Sequence, residues 1–178
     1  MRNVTQAEKI LLGDSHEAMA AAKLESMGCK VENLNQRQRN YPHDDLEVIT
    51  PDGEVLRIQV KKSRQENGLL VGGAVYRTPE IKEKFQHLDR IGFIISYNHI
   101  GDAYIIPYRD LLAIIQRYFD YYYDWQERNG RSSRKNTCLL IYSTALKAGI
   151  DFSRYRNAWN LITAGPEGVS LKDVTNRS

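Results

Sequence analysis

Asp45, Gln59 and Lys61, in the stretch DDLEVITPDGEVLRIQVKKS (residues 44 to 63), have side chains suited to phosphodiester hydrolysis. That reaction needs an activated water, in-line geometry and a Lewis acid to offset charge on the phosphate. A Mg2+ ion supplies the Lewis acid and helps activate the water. It prefers an octahedron of hard oxygens, one or two of them carboxylates and the rest carbonyls, waters and substrate. Asp45 offers a carboxylate, and the Gln59 side chain or the Val60 backbone carbonyl offers a neutral oxygen. Lys61 can hold the attacking water or the phosphate. Glu17, upstream, is a second acid that could reach the same place directly or through a water.

These groups work together only if the chain brings them to one place. Pro51-Asp52-Gly53 suits a three-residue hairpin connection, with Pro fixing φ at the first turn position and Gly taking the left-handed one. With that loop Thr50 faces Glu54, and pairing continues as Ile49 with Val55, Val48 with Leu56, Glu47 with Arg57, Leu46 with Ile58 and Asp45 with Gln59. Alternation then puts Asp45, Glu47, Arg57, Gln59 and Lys61 on one face and Leu46, Val48, Leu56, Ile58 and Val60 on the core face. A one-residue slip would invert both sets. Glu47 and Arg57, directly opposed and farther from the strand ends, read as a structural cross-strand pair.

The segment TQAEKILLGDSHEAMAAAKLESMG predicts a helix, capped by Thr5 and Glu8, stopped by Gly28, and kinked or broken at Gly13. Ala20, Ala21 and Leu24 place Glu17 beside its apolar stripe. CKVENL predicts a short strand and NQRQRNYPHD a polar loop. NGLLVGGAVYRT predicts a third partner for the hairpin, with Gly72-Gly73 as a bulge, and PEIKEKFQHLD a charged connection compatible with a helix. RIGFIISYNHIGDAYIIPY predicts a second hairpin about an Asn-His-Ile-Gly-Asp turn. YRDLLAIIQRYFDYYYDWQERNG predicts a long amphipathic helix ended by Gly130, TCLLIYS a strand, and FSRYRNAWNLI a final short helix. The sum is an α/β domain with a mixed sheet flanked by helices.

This arrangement resembles the PD-(D/E)XK nuclease superfamily. GDSHEAMAAAKLESMGCKV looks like its leading helix, with Glu17 in the acidic position, and the hairpin carries Asp45, Gln59 and Lys61 in the motif positions. RIQVK, the following VYRT, IGFIISYNHIGDAYIIPYRDL and FSRYRNAWNLI are similar to one branch, the small homing endonucleases encoded in group I introns. The resemblance runs from about residue 9 to 163. It implies a restriction-endonuclease-like core over about residues 9–112, with about 113–178 an elaboration for DNA contact or oligomerisation. It also implies Mg2+ as cofactor (Mn2+ as a substitute), no organic cofactor, and ends bearing a 5′-phosphate and a 3′-hydroxyl. One site cuts one strand, so a dimer or tetramer on a near-palindromic target is expected. Two positions depart from the motif: Asp44 stands where the motif has Pro, and Gln59 replaces its second acid. With one charge fewer, the site would hold metal well only when DNA phosphate adds its own.

Outside this cluster, Lys62 and Arg64 follow the catalytic strand, Arg77 lies in VYRT, and Arg128, Arg131, Arg134 and Lys135 crowd the ERNGRSSRKN segment. Such runs are usually solvated surface, but in a nuclease they are natural phosphate contacts. The Tyr121–Trp125 aromatics suit core packing or a subunit interface better than base stacking. His99 reads as a turn residue, and His16, His43 and His87 are scattered.

The 178 residues suffice for one domain with a core. A net charge of +3 permits nucleic-acid binding without arguing for it. Cys29 and Cys138 lack the spacing of a zinc or disulfide framework. No long uncharged apolar run or signal-peptide core occurs, so the expectation is an intracellular protein (cytoplasmic, organellar or phage-encoded), neither secreted nor in a membrane. Three alternatives share the fold: a restriction enzyme, a Holliday-junction resolvase, and a silent DNA-binding module.

Overall fold

The computed structural model describes residues 6–37, 44–71, 91–130 and 139–164, with residues 6–14 and 91 described by their backbone alone. Helix α1 (Gln6–Glu25) is continuous, so Gly13 neither breaks nor divides it. It ends where Gly28 adopts φ +88° and the Cys29 N–H turns back to the Leu24 carbonyl at 3.2 Å. Strand β1 (Lys30–Asn33) follows, then a one-turn helix α2 (Leu34–Arg37) where a loop is expected. Asn33 starts that turn, because its side-chain oxygen accepts the N–H groups of Asn35 at 3.0 Å and Gln36 at 3.3 Å.

Strands β2 (Leu46–Ile49) and β3 (Val55–Lys62) form the first hairpin in the expected register, from Ile49 opposite Val55 to Leu46 opposite Ile58. Gly53 takes φ +88° in the turn, and the Thr50 N–H donates to the Glu54 carbonyl at 2.9 Å. Arg57 meets Glu47 at 2.5 Å across the pair. Strands β5 (Ile91–Tyr97) and β6 (Ala103–Pro107) form the second hairpin, turning at Gly101 with φ +93°. The five strands stand in the order β1-β2-β3-β5-β6, antiparallel except that β3 and β5 run parallel.

Strand β4 (Gly68–Leu70) corrects an expectation. It pairs not with the first hairpin but with β7 (Leu139–Ile141), in a separate two-stranded sheet. The apolar run at 68–71 is buried against other apolar residues, and strand-like composition does not choose the edge it joins. The proposed bulge at Gly72-Gly73 and the PEIKEKFQHLD connection lie outside the described residues. Helix α3 (Tyr108–Arg128) ends before Gly130, which has φ +61°. A short α4 (Tyr142–Lys147) follows β7. The final segment, expected as one helix, is divided into a 3-10 turn (Ser153–Tyr155) and α5 (Asn160–Thr163). Between them Asn157 adopts φ +53°, and its side-chain oxygen accepts the Ala103 N–H at 3.1 Å.

The two faces of the large sheet bury separate cores. On one, Ala20 and Leu24 of α1 pack with Leu46, Val48, Ile58, Val60, Phe93, Ile95 and Ile105. On the other, Ile94, Tyr104 and Ile106 pack with Leu69, Leu111, Tyr118, Phe119 and Leu140. Each fully buried large apolar side chain contributes roughly 1.5–3 kcal/mol before entropy is counted. The structure is therefore mixed α/β, a mixed sheet flanked by helices. Among the described residues no helix is long and apolar enough to cross a membrane.

Candidate functional site

The site is built where β2 begins and β3 runs past it. Strand β2 starts at Leu46, one residue after Asp45, and β3 continues to Lys62. The expected pairing of Asp45 with Gln59 is not made. The chain bends at Asp45, whose N–H donates to the Ile58 carbonyl at 3.0 Å, although Ile58 is already the partner of Leu46. Two residues thus oppose one, the local arrangement of a β-bulge, which re-aims a side chain at a sheet's end.

The re-aimed carboxylate has two differently occupied oxygens. Asp45 Oδ2 accepts the Val60 N–H at 2.7 Å, and the Lys61 ammonium stands 3.5 Å from the same atom. Asp45 Oδ1 accepts from the Asn35 side-chain amide at 3.1 Å. That same amide nitrogen lies 3.2 Å from each oxygen of Glu17, and the Asn33 amide donates to Glu17 at 3.2 Å as well. Glu17 is 9% exposed, on the α1 turn preceding Ala20. Helix packing through Ala20 and Leu24 therefore sets its height over the strand ends.

The structure thus brings Glu17, Asp45 and Lys61 into one cluster. Gln59 is half-buried on β3, two residues before Lys61, so both leave the same side of the strand. In a strand the N–H and C=O of one residue point to the same edge. The Val60 carbonyl, like its N–H, therefore leaves β3 on the Asp45 side. Asn33 and Asn35 were not anticipated. Their only signal in the sequence is two amides spaced around Leu34, which carries meaning only once a helical turn starts there.

These groups suit a hard divalent cation in kind. Among the described residues no group of three or more His, Cys, Asp or Glu converges. A cation here would draw on two carboxylates, Glu17 and Asp45, with carboxamide and carbonyl oxygens completing the shell. That is the mixed oxygen set Mg2+ accepts. The convergence of three carboxylate oxygens on one neutral NH2 makes this a place where positive charge is favoured.

The cationic candidates lie elsewhere. Lys62 donates its ammonium to the Asn98 carbonyl at 2.6 Å, and burial lowers its pKa. Arg64 is exposed just past β3. Arg128 is exposed at the end of α3, 3.8 Å from Asp124. Arg77, Arg131, Arg134 and Lys135 lie outside the described residues, as do His43, His87 and Cys138. His16, next to Glu17, packs its ring 5.1 Å from that of Tyr97. His99 is exposed in the β5–β6 turn. Tyr121, Tyr122 and Tyr123 pack against the α3 core, and Cys29 is buried with a free thiol.

Compared with protein-family models, curated proteins and solved structures, the chain matches none.

Proposed function

We propose that this chain is a Mg2+-dependent, site-specific endonuclease of double-stranded DNA, of the homing type and with a restriction-endonuclease-like core. The observation that carries this reading is the cluster at the β2–β3 mouth. There Asp45 receives Val60 N–H and Lys61 on one oxygen and shares the Asn35 amide with Glu17 on the other. Mg2+, when bound, would supply the Lewis acid that offsets phosphate charge.

The chain's own groups have separable tasks. The Val60 N–H fixes the Asp45 carboxylate, so a ligand to its free lone pairs meets a preset direction. Lys61, beside that carboxylate, holds the attacking water and donates to the phosphate as DNA docks. Glu17 supplies the second negative charge, and Gln59 and the Val60 carbonyl supply neutral oxygens. Lys62, Arg64, Arg77, Arg128, Arg131, Arg134 and Lys135 are the phosphate contacts of this reading. Among the described residues each copy holds one such cluster, so cutting both strands takes a homo-oligomer, a dimer or a tetramer.

The test is cleavage of long, varied DNA with Mg2+, compared with EDTA and with Lys61→Ala. Discrete fragments lost in both controls, with 5′-phosphate and 3′-hydroxyl ends, are expected. A metal-dependent smear would point to a general nuclease, and cutting only at branched DNA to a resolvase. Binding without cutting, across DNA that includes uninterrupted candidate host genes, would leave a silent binding module and overturn the enzyme reading.

A further inference from the structure

Asn35 is placed by two constraints that do not depend on each other. Its backbone N–H is held at 3.0 Å by the Asn33 side-chain oxygen, which fixes the first turn of α2. Its side-chain NH2 then sits among three carboxylate oxygens, 3.2 Å from Glu17 Oε1, 3.2 Å from Glu17 Oε2 and 3.1 Å from Asp45 Oδ1. A donor group in that position is shared by both carboxylates.

A carboxamide carries an oxygen on the other side of the same carbon, with two acceptor lone pairs. Its terminal torsion is broad and close to two-fold, so a half-turn exchanges the two ends with little torsional cost, and the hydrogen bonds given up are what the cation must replace. With a cation between Glu17 and Asp45 the NH2 would face positive charge, and turning over replaces that repulsion by a ligand bond. We propose that Asn35 is an oxygen ligand of the divalent cation held by Glu17 and Asp45. Without the cation its NH2 holds the two carboxylates together, and with it the amide presents Oδ1. This rests on the metal-dependent reading above and extends it to a residue outside the Asp45, Gln59, Lys61 and Glu17 set. It also accounts for the neutral Gln59: the shell gains a further hard oxygen from the opposite wall without further charge.

The probe is Mn2+ alone, titrated into the full chain and followed by the free-ion signal in electron paramagnetic resonance. Asp45→Asn serves as the control for the site. Wild type should show a saturable Mn2+ site that Asp45→Asn removes. Asn35→Ala should weaken that site about tenfold, the usual cost of losing a group that orients or completes a metal shell. Asn35→Asp puts an oxygen and a charge in the same place, and should bind Mn2+ more tightly than wild type. Its three crowded carboxylates should also give a larger rise in thermal midpoint on adding Mn2+. The cap that starts α2 uses the Asn35 backbone and the Asn33 side chain, so neither variant removes it, and far-UV circular dichroism checks this. Should Asn35→Ala not fold, Asn35→Asp carries the test.

Mn2+ affinity in Asn35→Ala equal to or above that of wild type would show that the amide merely competes with the cation. That overturns this proposal and leaves the nuclease reading standing. Asn35→Asp binding no better than wild type overturns it in the same way. No saturable site in wild type would overturn this proposal, while the nuclease reading, in which DNA phosphate adds its charge to the site, is decided by the cleavage test above.

Discussion

At the scale of single residues, the division of labour within one carboxylate is the central feature. Asp45 spends Oδ2 on the Val60 N–H and the Lys61 ammonium, and Oδ1 faces Asn35 and Glu17. Lys61→Ala leaves the Val60 N–H contact in place, so the carboxylate should keep its aim. On the nuclease reading proposed above, the expected outcome is a loss of cutting of at least about a hundredfold, the scale of losing a positioned proton-transfer or water-holding group. DNA affinity should stay within several-fold of wild type, checked by single-turnover cleavage beside gel-shift titration. That Glu17 and Lys61 come near Asp45 was legible in the sequence, Glu17 from helix periodicity and Lys61 from strand alternation. The place of Asn35 was not, since it depends on a one-turn helix too short to leave a periodic signal.

At the scale of elements, the first hairpin was readable almost entirely and the chain around it less so. Pro51-Asp52-Gly53 fixed the loop length, and the loop length fixed the register. Even so, alternation carried one residue too far, to a pairing of Asp45 with Gln59 that the bend at Asp45 replaces. The partner of β4 was illegible for a different reason. Its apolar residues 68–71 say that the segment is buried, while the edge it joins is decided by β7, about 70 residues later. Two substitutions test these elements. At Gly53, with φ +88° and nothing within 4 Å of an added Cβ, alanine should cost about 1–2 kcal/mol through backbone conformation alone, read from urea midpoints. At the far side of the fold, Tyr155 donates its hydroxyl to the buried Asp110 at 2.9 Å, where Arg154 also binds at 2.8 Å. Tyr155→Phe should lose about 1.5–3 kcal/mol, the range for a hydrogen bond to a charged group, by the same measurement.

At the scale of the whole molecule, two cores close on opposite faces of one sheet, and several tyrosines are buried between its layers. Burial raises the Tyr97 hydroxyl from 10.0 to about 12. It pushes Tyr118, Tyr142 and Tyr155 upward too. Below pH 10 these rings are neutral in both states. Above it the unfolded chain gains by ionising while the folded chain does not, until about 12 for Tyr97. The contribution of these tyrosines to stability should therefore be complete well below pH 10 and fall as pH rises through that window. Denaturant midpoints taken across it, with Tyr97→Phe as the comparison, check this: the variant should lose less. The parallel pairing of β3 with β5 has a consequence in time as well as in space. Each side chain of the carboxylate cluster lies between residues 17 and 61, so a ribosome finishes all of it before it makes the strand at 91–97 that covers the second edge of β3. Until then Leu46, Ile58 and Val60 lack the Phe93 and Ile95 layer they pack against. A chain ending at residue 90 should expose its amides to rapid hydrogen exchange, whereas one ending at 164 should protect them. A cluster encoded early in the message thereby waits for its supporting layer until the strand at 91–97 has been synthesised.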